Sequence, residues 1–321
     1  MITRQIKALL AGFAAIATLC AAPAIAEDEA RYAFTQDYEP APALWRLSDE
    51  DTTIYMLGTI HLLPKGFRWR NPDLDAIIDA ADVLVVESND FDGSGSLDVV
   101  APKIAHLLQN RTPTSQQLSA PAKARWRELV AQSGQPFAYV DAMPVMVALM
   151  GFGPTGPGSE LSSYDYGVEA VLEREFIESE RPIESIEDFG RVLYSLYHAN
   201  DAEMVKELDL HLRKWSREPN RGLYGAAQDD LVGDDYWAME HAWARGEVSD
   251  DFDLGFGDGR IGKAFREILL NRRNRRWAGW LEERLDQPGT ALLAVGAGHF
   301  EGPDSLLVWL KQRGLKAERI N

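Results

Sequence analysis

Residues 52–87 read TTIYMLGTIHLLPKGFRWRNPDLDAIIDAADVLVVE, and their order decides the fold class. The opening run, TTIYMLGTI, is rich in β-branched and aromatic side chains, the composition of a buried strand. His61 stands at its carboxyl end, and Pro64 and Gly66 then break the chain. Residues 72–81 read as a helix: Pro72 is early, Asp73 and Asp75 fill the first turn, and Leu74, Ile77 and Ile78 share a face. DVLVVE, 82–87, is a second apolar strand that ends in Glu87. Strand, helix, strand in this order favours parallel pairing through a right-handed crossover.

The far end of the chain repeats the layout. TALLAVGAGHF, 290–300, reads as a strand ending near His299; Gly302 and Pro303 break it; DSLLVWLKQRG is an amphipathic helix with a glycine stop, and LKAERI, 315–320, is a last strand. Each copy carries Gly-x-x-His, as Gly58–His61 and as Gly296–His299. The expectation is an α/β protein with a pseudo-duplicated strand–GxxH–helix–strand core, residues 43–321 forming one domain. Its core ends would be 43–90 and 290–321, around a mainly helical middle of about 100–288. RPIESIE, 181–187, is a candidate extra core strand, and the Gly/Pro run GFGPTGPGSE, 151–160, a flap beside the substrate.

Residues 1–26 have the layout of a secretory signal peptide: Arg4 and Lys7, an apolar stretch to about Ala22, and the small-x-small run Ala24-Ile25-Ala26 before three acids. The implied location is periplasmic or secreted. Cleavage would remove Cys20, the only cysteine, and so every thiol mechanism. Residues 27–42 read as a polar, extended tether. No later stretch is long and apolar enough to span a membrane. With 33 Lys plus Arg against 50 Asp plus Glu, the net charge of −17 argues against a nucleic-acid partner.

Ligands of open α/β sheets bind beyond the carboxyl ends of the strands. His61, His299 and Glu87 are all expected there. Two imidazoles and a carboxylate suffice for a divalent cation with open positions, which is a basis for hydrolysis. The two motif glycines, Gly58 and Gly296, would let backbones approach closely or bend. His106, His198, His211 and His241 sit in helical stretches and read as structural or surface residues. No HExxH or GxSxG is present, and GSGS at 93–96 lacks a nucleotide-binding context. The acidic run 249–259 lacks the ligand ladder of a calcium loop. RRNRRW, 272–277, reads as a helix face pairing with acids. Most of the nine Trp residues occur at helical spacing beside Leu and Val, as core residues do.

The runs 43–88 and 291–320 resemble the two terminal signatures of the TraB/PrgY/GumN family, and the exported form with a helical middle is similar to its GumN-type branch. Superfamily relatives include the Tiki metal-dependent peptidases, erythromycin-esterase-like proteins and haem-binding proteins. The resemblance implies His61, Glu87 and His299 as site residues. It adds Arg273 and Asn274, for oxyanion stabilisation and for orienting a ligand or amide, and Glu169 of Gly167-Val168-Glu169, where Asp is more usual. What it implies is a metal-dependent hydrolase, most plausibly a peptidase, using Mn²⁺, Co²⁺ or Zn²⁺, with Glu87 as ligand or general base and a peptide or small molecule as substrate. Two alternatives stay open: a non-catalytic periplasmic protein binding haem, a peptide signal or a polysaccharide intermediate, and a metal-free esterase using the histidines as acid and base.

Overall fold

The computed structural model describes residues 30–89, 92–152, 159–199, 202–216, 223–224 and 231–321. The expected signal peptide and residues 153–158 of the expected flap lie outside them. Six strands form one mixed sheet: β1 (Leu44–Ser48), β2 (Thr52–Thr59), β4 (Val83–Val86), β6 (Ile183–Ser185), β7 (Gly289–Gly296) and β8 (Glu318–Arg319), in the order β6-β4-β7-β2-β1-β8. Two-residue strands β3 (Leu63–Pro64) and β5 (Ser162–Ser163) pair separately.

The helix Pro72–Ala80 follows from its local sequence. Asn71 accepts a hydrogen bond from the Leu74 N–H, Pro72 opens the first turn, and Leu74 and Ile78 are buried. This helix carries the chain from β2 to β4, as the β–α–β reading predicts. The slot between those strands is filled by β7, which pairs parallel with both. β6 adds in parallel beyond β4, so RPIESIE does supply a sheet strand. β1 runs antiparallel to β2, and β8 antiparallel to β1. Four adjacent strands therefore end at one edge, in the order β6, β4, β7, β2.

Alternation along the central strands explains the layers. Ile54 and Met56 of β2, Val83 and Val85 of β4, and Leu293 and Val295 of β7 face one side, against Trp277, Leu281, Leu306 and Leu310 of the helices Arg272–Arg284 and Leu306–Gln312. Leu57, Leu84, Val86, Leu292 and Ala294 face the other, against the helices Pro72–Ala80, Val168–Glu178 and Ala238–Ala244. A sheet buried on both faces needs near-continuous apolar strands, which these are. The helical middle builds a separate core around Trp126, Met146, Leu208 and Phe265. Seven of the nine Trp residues are buried, in line with their reading as core.

Three expectations need correction. The run 290–300 is not strand throughout: β7 stops at Gly296, and Ala297–Phe300 turn as a 3-10 helix that carries His299. The last strand has two residues rather than six. Residues 32–42 lack regular structure, but the stretch from 30 is not a free tether. The Trp237 indole donates to the Tyr32 carbonyl at 2.7 Å, Asp234 accepts from Thr35 at 2.6 Å, and the Tyr38 hydroxyl meets buried His241 at 2.7 Å. The aromatic residues in this polar stretch anchor it, because their burial outweighs the solubility of their neighbours.

Candidate functional site

The strand order places the site. Glu187 follows β6, Glu87 follows β4, His299 lies three residues past β7 and His61 two past β2, all at one edge. Glu187 and Glu87 are locked side by side by their backbones, the Glu187 N–H donating to the Glu87 carbonyl at 3.1 Å. Gly296 marks the meeting point. A Cβ placed on it would stand 3.3 Å from Glu87 Oε1, 3.5 Å from His61 Nε2 and 3.8 Å from His299 Cδ2. The three residues expected to converge therefore do so, around a backbone with no side chain of its own.

Glu87 Oε1 accepts from the Gly296 N–H at 3.0 Å, and Oε2 is paired with Arg273. Burial alone would raise its pKa. The nearby charge of Arg273 and the imidazoles, with the Gly296 bond, outweighs that and holds the carboxyl well below the usual carboxylate range. Glu187 is pushed the other way, by burial first, with Arg273 only partly compensating and the charge of Glu87 adding to the rise.

Arg273 was expected to meet an oxyanion, and the structure places it otherwise. It is buried, its Nε donates to Glu187 Oε1 at 2.7 Å, its Nη1 to the Leu269 carbonyl at 2.9 Å, and its Nη2 to Glu87. The guanidinium also lies 4.7 Å from the Trp277 ring centroid. Burial opposes its charge, but the two carboxylates push its pKa up. A planar fork held at three points is a strut, suited to bridging paired carboxylates. Just before it, the helix widens into a π turn over Glu267–Asn271, a feature often seen at functional sites and one that no sequence signal announced.

His299 is 4% exposed and lies over the Trp277 ring, centroids 4.2 Å apart. Its Nδ1 is 2.6 Å from Asn274 Oδ1, and the Asn274 amide nitrogen donates to the carbonyls of Asp304 at 2.8 Å and His299 at 3.4 Å. Those two carbonyls fix the amide orientation, so Oδ1 accepts and His299 Nδ1 carries the proton. Nε2 is left as a lone pair, 3.7 Å from Glu87 Oε1. Burial, with the charge of Arg273 beside it, lowers the His299 pKa to about 3, so the ring is neutral. Asn274 thus orients the His299 ring.

His61 is its counterpart. Nδ1 lies 2.7 Å from Glu169 Oε1, and the Thr59 hydroxyl donates to the same oxygen. Burial works against its protonation, but the Glu169 hydrogen bond and charge outweigh it and push the pKa up to about 9. The side chain is 53% exposed, so water screens part of that pull. Glu169 Oε2 is buried with no hydrogen-bond partner among the described residues.

Both rings therefore have Nδ1 engaged and Nε2 free of hydrogen bonds, one backed by a carboxylate and one by an amide. Such outer partners are what histidine ligands of metals use to fix ring and tautomer. An imidazole nitrogen, a carboxylate oxygen and the edge of a second imidazole around one glycine fit a divalent cation by donor chemistry, the cation displacing the proton of His61 Nε2. Among the described residues, no group of three or more His, Cys, Asp or Glu side chains stands at metal-holding distances. In this arrangement Glu87 is drawn to Arg273.

Sequence reasoning missed Glu187, Thr59 and Trp277. Glu187 had the signal that revealed Glu87, a carboxylate just past a strand, but RPIESIE was too short and polar to carry weight. The remaining histidines are not part of the site. His211 meets the Tyr224 hydroxyl at 2.9 Å, and His198 stacks on Tyr194. The acidic run 249–259 is a loop without regular structure in which Phe252 packs on Gly298.

Sheet and site define a mixed α/β protein with a cluster of histidines and carboxylates at the carboxyl edge of its parallel strands. The chain belongs to the TraB/PrgY/gumN family, whose family model matches residues 43–319. No curated protein and no solved structure matches the chain.

Proposed function

We propose that the protein is an exported, metal-dependent hydrolase, most plausibly a peptidase. One observation carries the reading: His61 Nε2, Glu87 Oε1 and the His299 ring meet around Gly296, with both imidazoles steadied from behind through Nδ1. His61, His299 and Glu87 would hold the cation, with Mn²⁺, Co²⁺ and Zn²⁺ as candidates. A bound cation of this kind polarises a carbonyl and lowers the pKa of water. Glu87 contributes charge rather than proton uptake, since a carboxyl held so far below neutral pH is a weak base. Arg273 keeps that carboxylate ionised and aimed, and Asn274 keeps the His299 lone pair turned to the Glu87 side. The signal-like residues 1–26 support export, and no helix among the described residues is long and apolar enough to cross a membrane.

The test uses residues 27–321. Metal content is measured for the native chain and for His61→Ala and His299→Ala, and a panel of peptides and esters is incubated with added Mn²⁺, Co²⁺ or Zn²⁺. The reading expects about one ion per chain, lost in both variants, and cleavage of at least one substrate. No bound metal together with an intact panel sinks it. A Soret band on adding haem moves the site to a binding role.

A further inference from the structure

His61 poses a problem of its own. It is half-exposed, sits on a short turn past the end of β2, and has no ring stacked on it among the described residues, whereas His299 has Trp277. An imidazole in that position would sample several rotamers and both tautomers, and Nε2 would face Gly296 only part of the time. The surroundings remove this freedom. The helix Val168–Glu178 begins directly against the turn: the Val168 N–H donates to the Ile60 carbonyl at 3.1 Å, and any side chain at Gly167 would collide with the His61 carbonyl. These backbone contacts bring Glu169, in the first helical turn, onto His61 Nδ1 at 2.7 Å. Thr59 is buried at the end of β2, and its hydroxyl donates to the same carboxylate oxygen. A carboxylate only accepts, so Nδ1 must donate.

We propose that Thr59 and Glu169 are positioning residues that act through His61: Glu169 takes the Nδ1 proton, Thr59 fixes the Glu169 carboxylate, and His61 Nε2 is thereby aimed at the Gly296 cradle. The inference deepens the reading of the site as a cation site and rests on it for the purpose of Nε2. The ring geometry stands independently. Glu169 is the carboxylate half of a carboxylate–histidine pair, matching the amide half that Asn274 supplies to His299. The unpartnered Oε2 fits this division of labour, because Oε1 alone carries both contacts.

The experiment reads the hydrogen bond directly. In full-length mature protein labelled with ¹⁵N-histidine, the Nδ1–H of His61 should appear as a downfield, slowly exchanging proton, assigned by its loss in His61→Ala. Glu169→Ala should remove it. Glu169→Gln, whose amide oxygen can still accept, should keep it at a shifted position, and Thr59→Val should keep it with faster exchange. Mn²⁺ affinity, measured by calorimetry, should fall about 10–100-fold in Glu169→Ala, the usual cost of losing a partner behind a ligand, and less in Glu169→Gln. A purely structural Glu169 would lower the melting temperature of Glu169→Ala and leave the His61 proton in place, and that result overturns the proposal. So does a wild-type protein without the proton, or unchanged Mn²⁺ affinity in Glu169→Ala. If the proton follows the expected pattern but the wild type binds no Mn²⁺, the positioning of the ring is upheld and the metal reading is overturned.

Discussion

Gly296→Ala separates folding from function at a single atom. The native backbone there has φ of −48° and ψ of 134°, which alanine adopts without strain. Replacing glycine at a compatible position gains about 0.4–1 kcal/mol by restricting the unfolded chain. Against this, the new methyl meets Glu87 Oε1 at 3.3 Å, a tight contact with a carboxylate pinned by Arg273 and by the Gly296 N–H. A shift of a few tenths of an ångström there costs about 1 kcal/mol, the lower edge of overpacking penalties. The two terms nearly cancel, so stability should change by less than ~1 kcal/mol and the melting temperature by less than about 4 °C. The same methyl occupies the space that His61 Nε2, Glu87 Oε1 and His299 all face. Metal affinity and hydrolysis should therefore fall by at least ~100-fold, the upper end of losses seen on disturbing the shell of a metal ligand. Scanning calorimetry and Mn²⁺ titration on the same preparation read both quantities. Native metal binding would refute the convergence of the three donors, and a melting temperature lowered by 10 °C or more would refute the packing argument.

Arg273→Met should destabilise by about 3 kcal/mol in urea titration, because it strands the buried carboxylate of Glu187 and the part-buried one of Glu87, and Arg273→Lys should recover little, since one ammonium cannot replace the three-point fork. Gly58→Ala should cost ~1–3 kcal/mol, as its Cβ would lie 3.0 Å from the Ala297 Cα, a backbone atom that cannot swing aside. The pH profile should be steeper on the acid side. The depressed pKa of His299 means the unfolded chain takes up that proton first, so stability is lost from about pH 6.5 down to about pH 3, on the order of a few kcal/mol. The stability from Glu87 is present above the ordinary carboxylate range and is lost only in stronger acid. His61 acts in the opposite sense, its contribution being complete below about pH 6.5 and lost as pH rises through about 9, reduced by its exposure. Urea midpoints from pH 3 to 10 test this, and a flat profile between pH 7 and 4 would contradict the neutral, buried assignment of His299.

The parts of the fold that were legible are those with local causes. The helix Pro72–Ala80 announced itself through Pro72, two early acids and a helical apolar spacing, and β2 and β4 through apolar runs ended by punctuation. Glu87 stood out because a carboxylate next to VLVV needs a partner if buried. Glu187 obeys the same rule but follows a strand of three residues, half-exposed at the sheet edge, whose composition is not that of a core strand. The packed stretch 30–42 was misread because overall polarity masked Tyr32, Phe34 and Tyr38, three anchors whose partners at Phe67, Trp237 and His241 lie far off in sequence.

By itself the sequence determined the α/β class, the two Gly-x-x-His turns and the acid after the second apolar strand, since each follows from periodicity and turn chemistry within a few residues. Tertiary structure alone decided that β7 lies between β2 and β4, and this one placement creates the site. It sets Gly296 beside Glu87 and His61, puts Glu187 and Glu87 on one guanidinium, and turns each imidazole through a partner from a distant helix. The reason is physical: strand pairing, burial and the aim of an imidazole depend on neighbours brought together across the chain, and no local propensity encodes which neighbours those are.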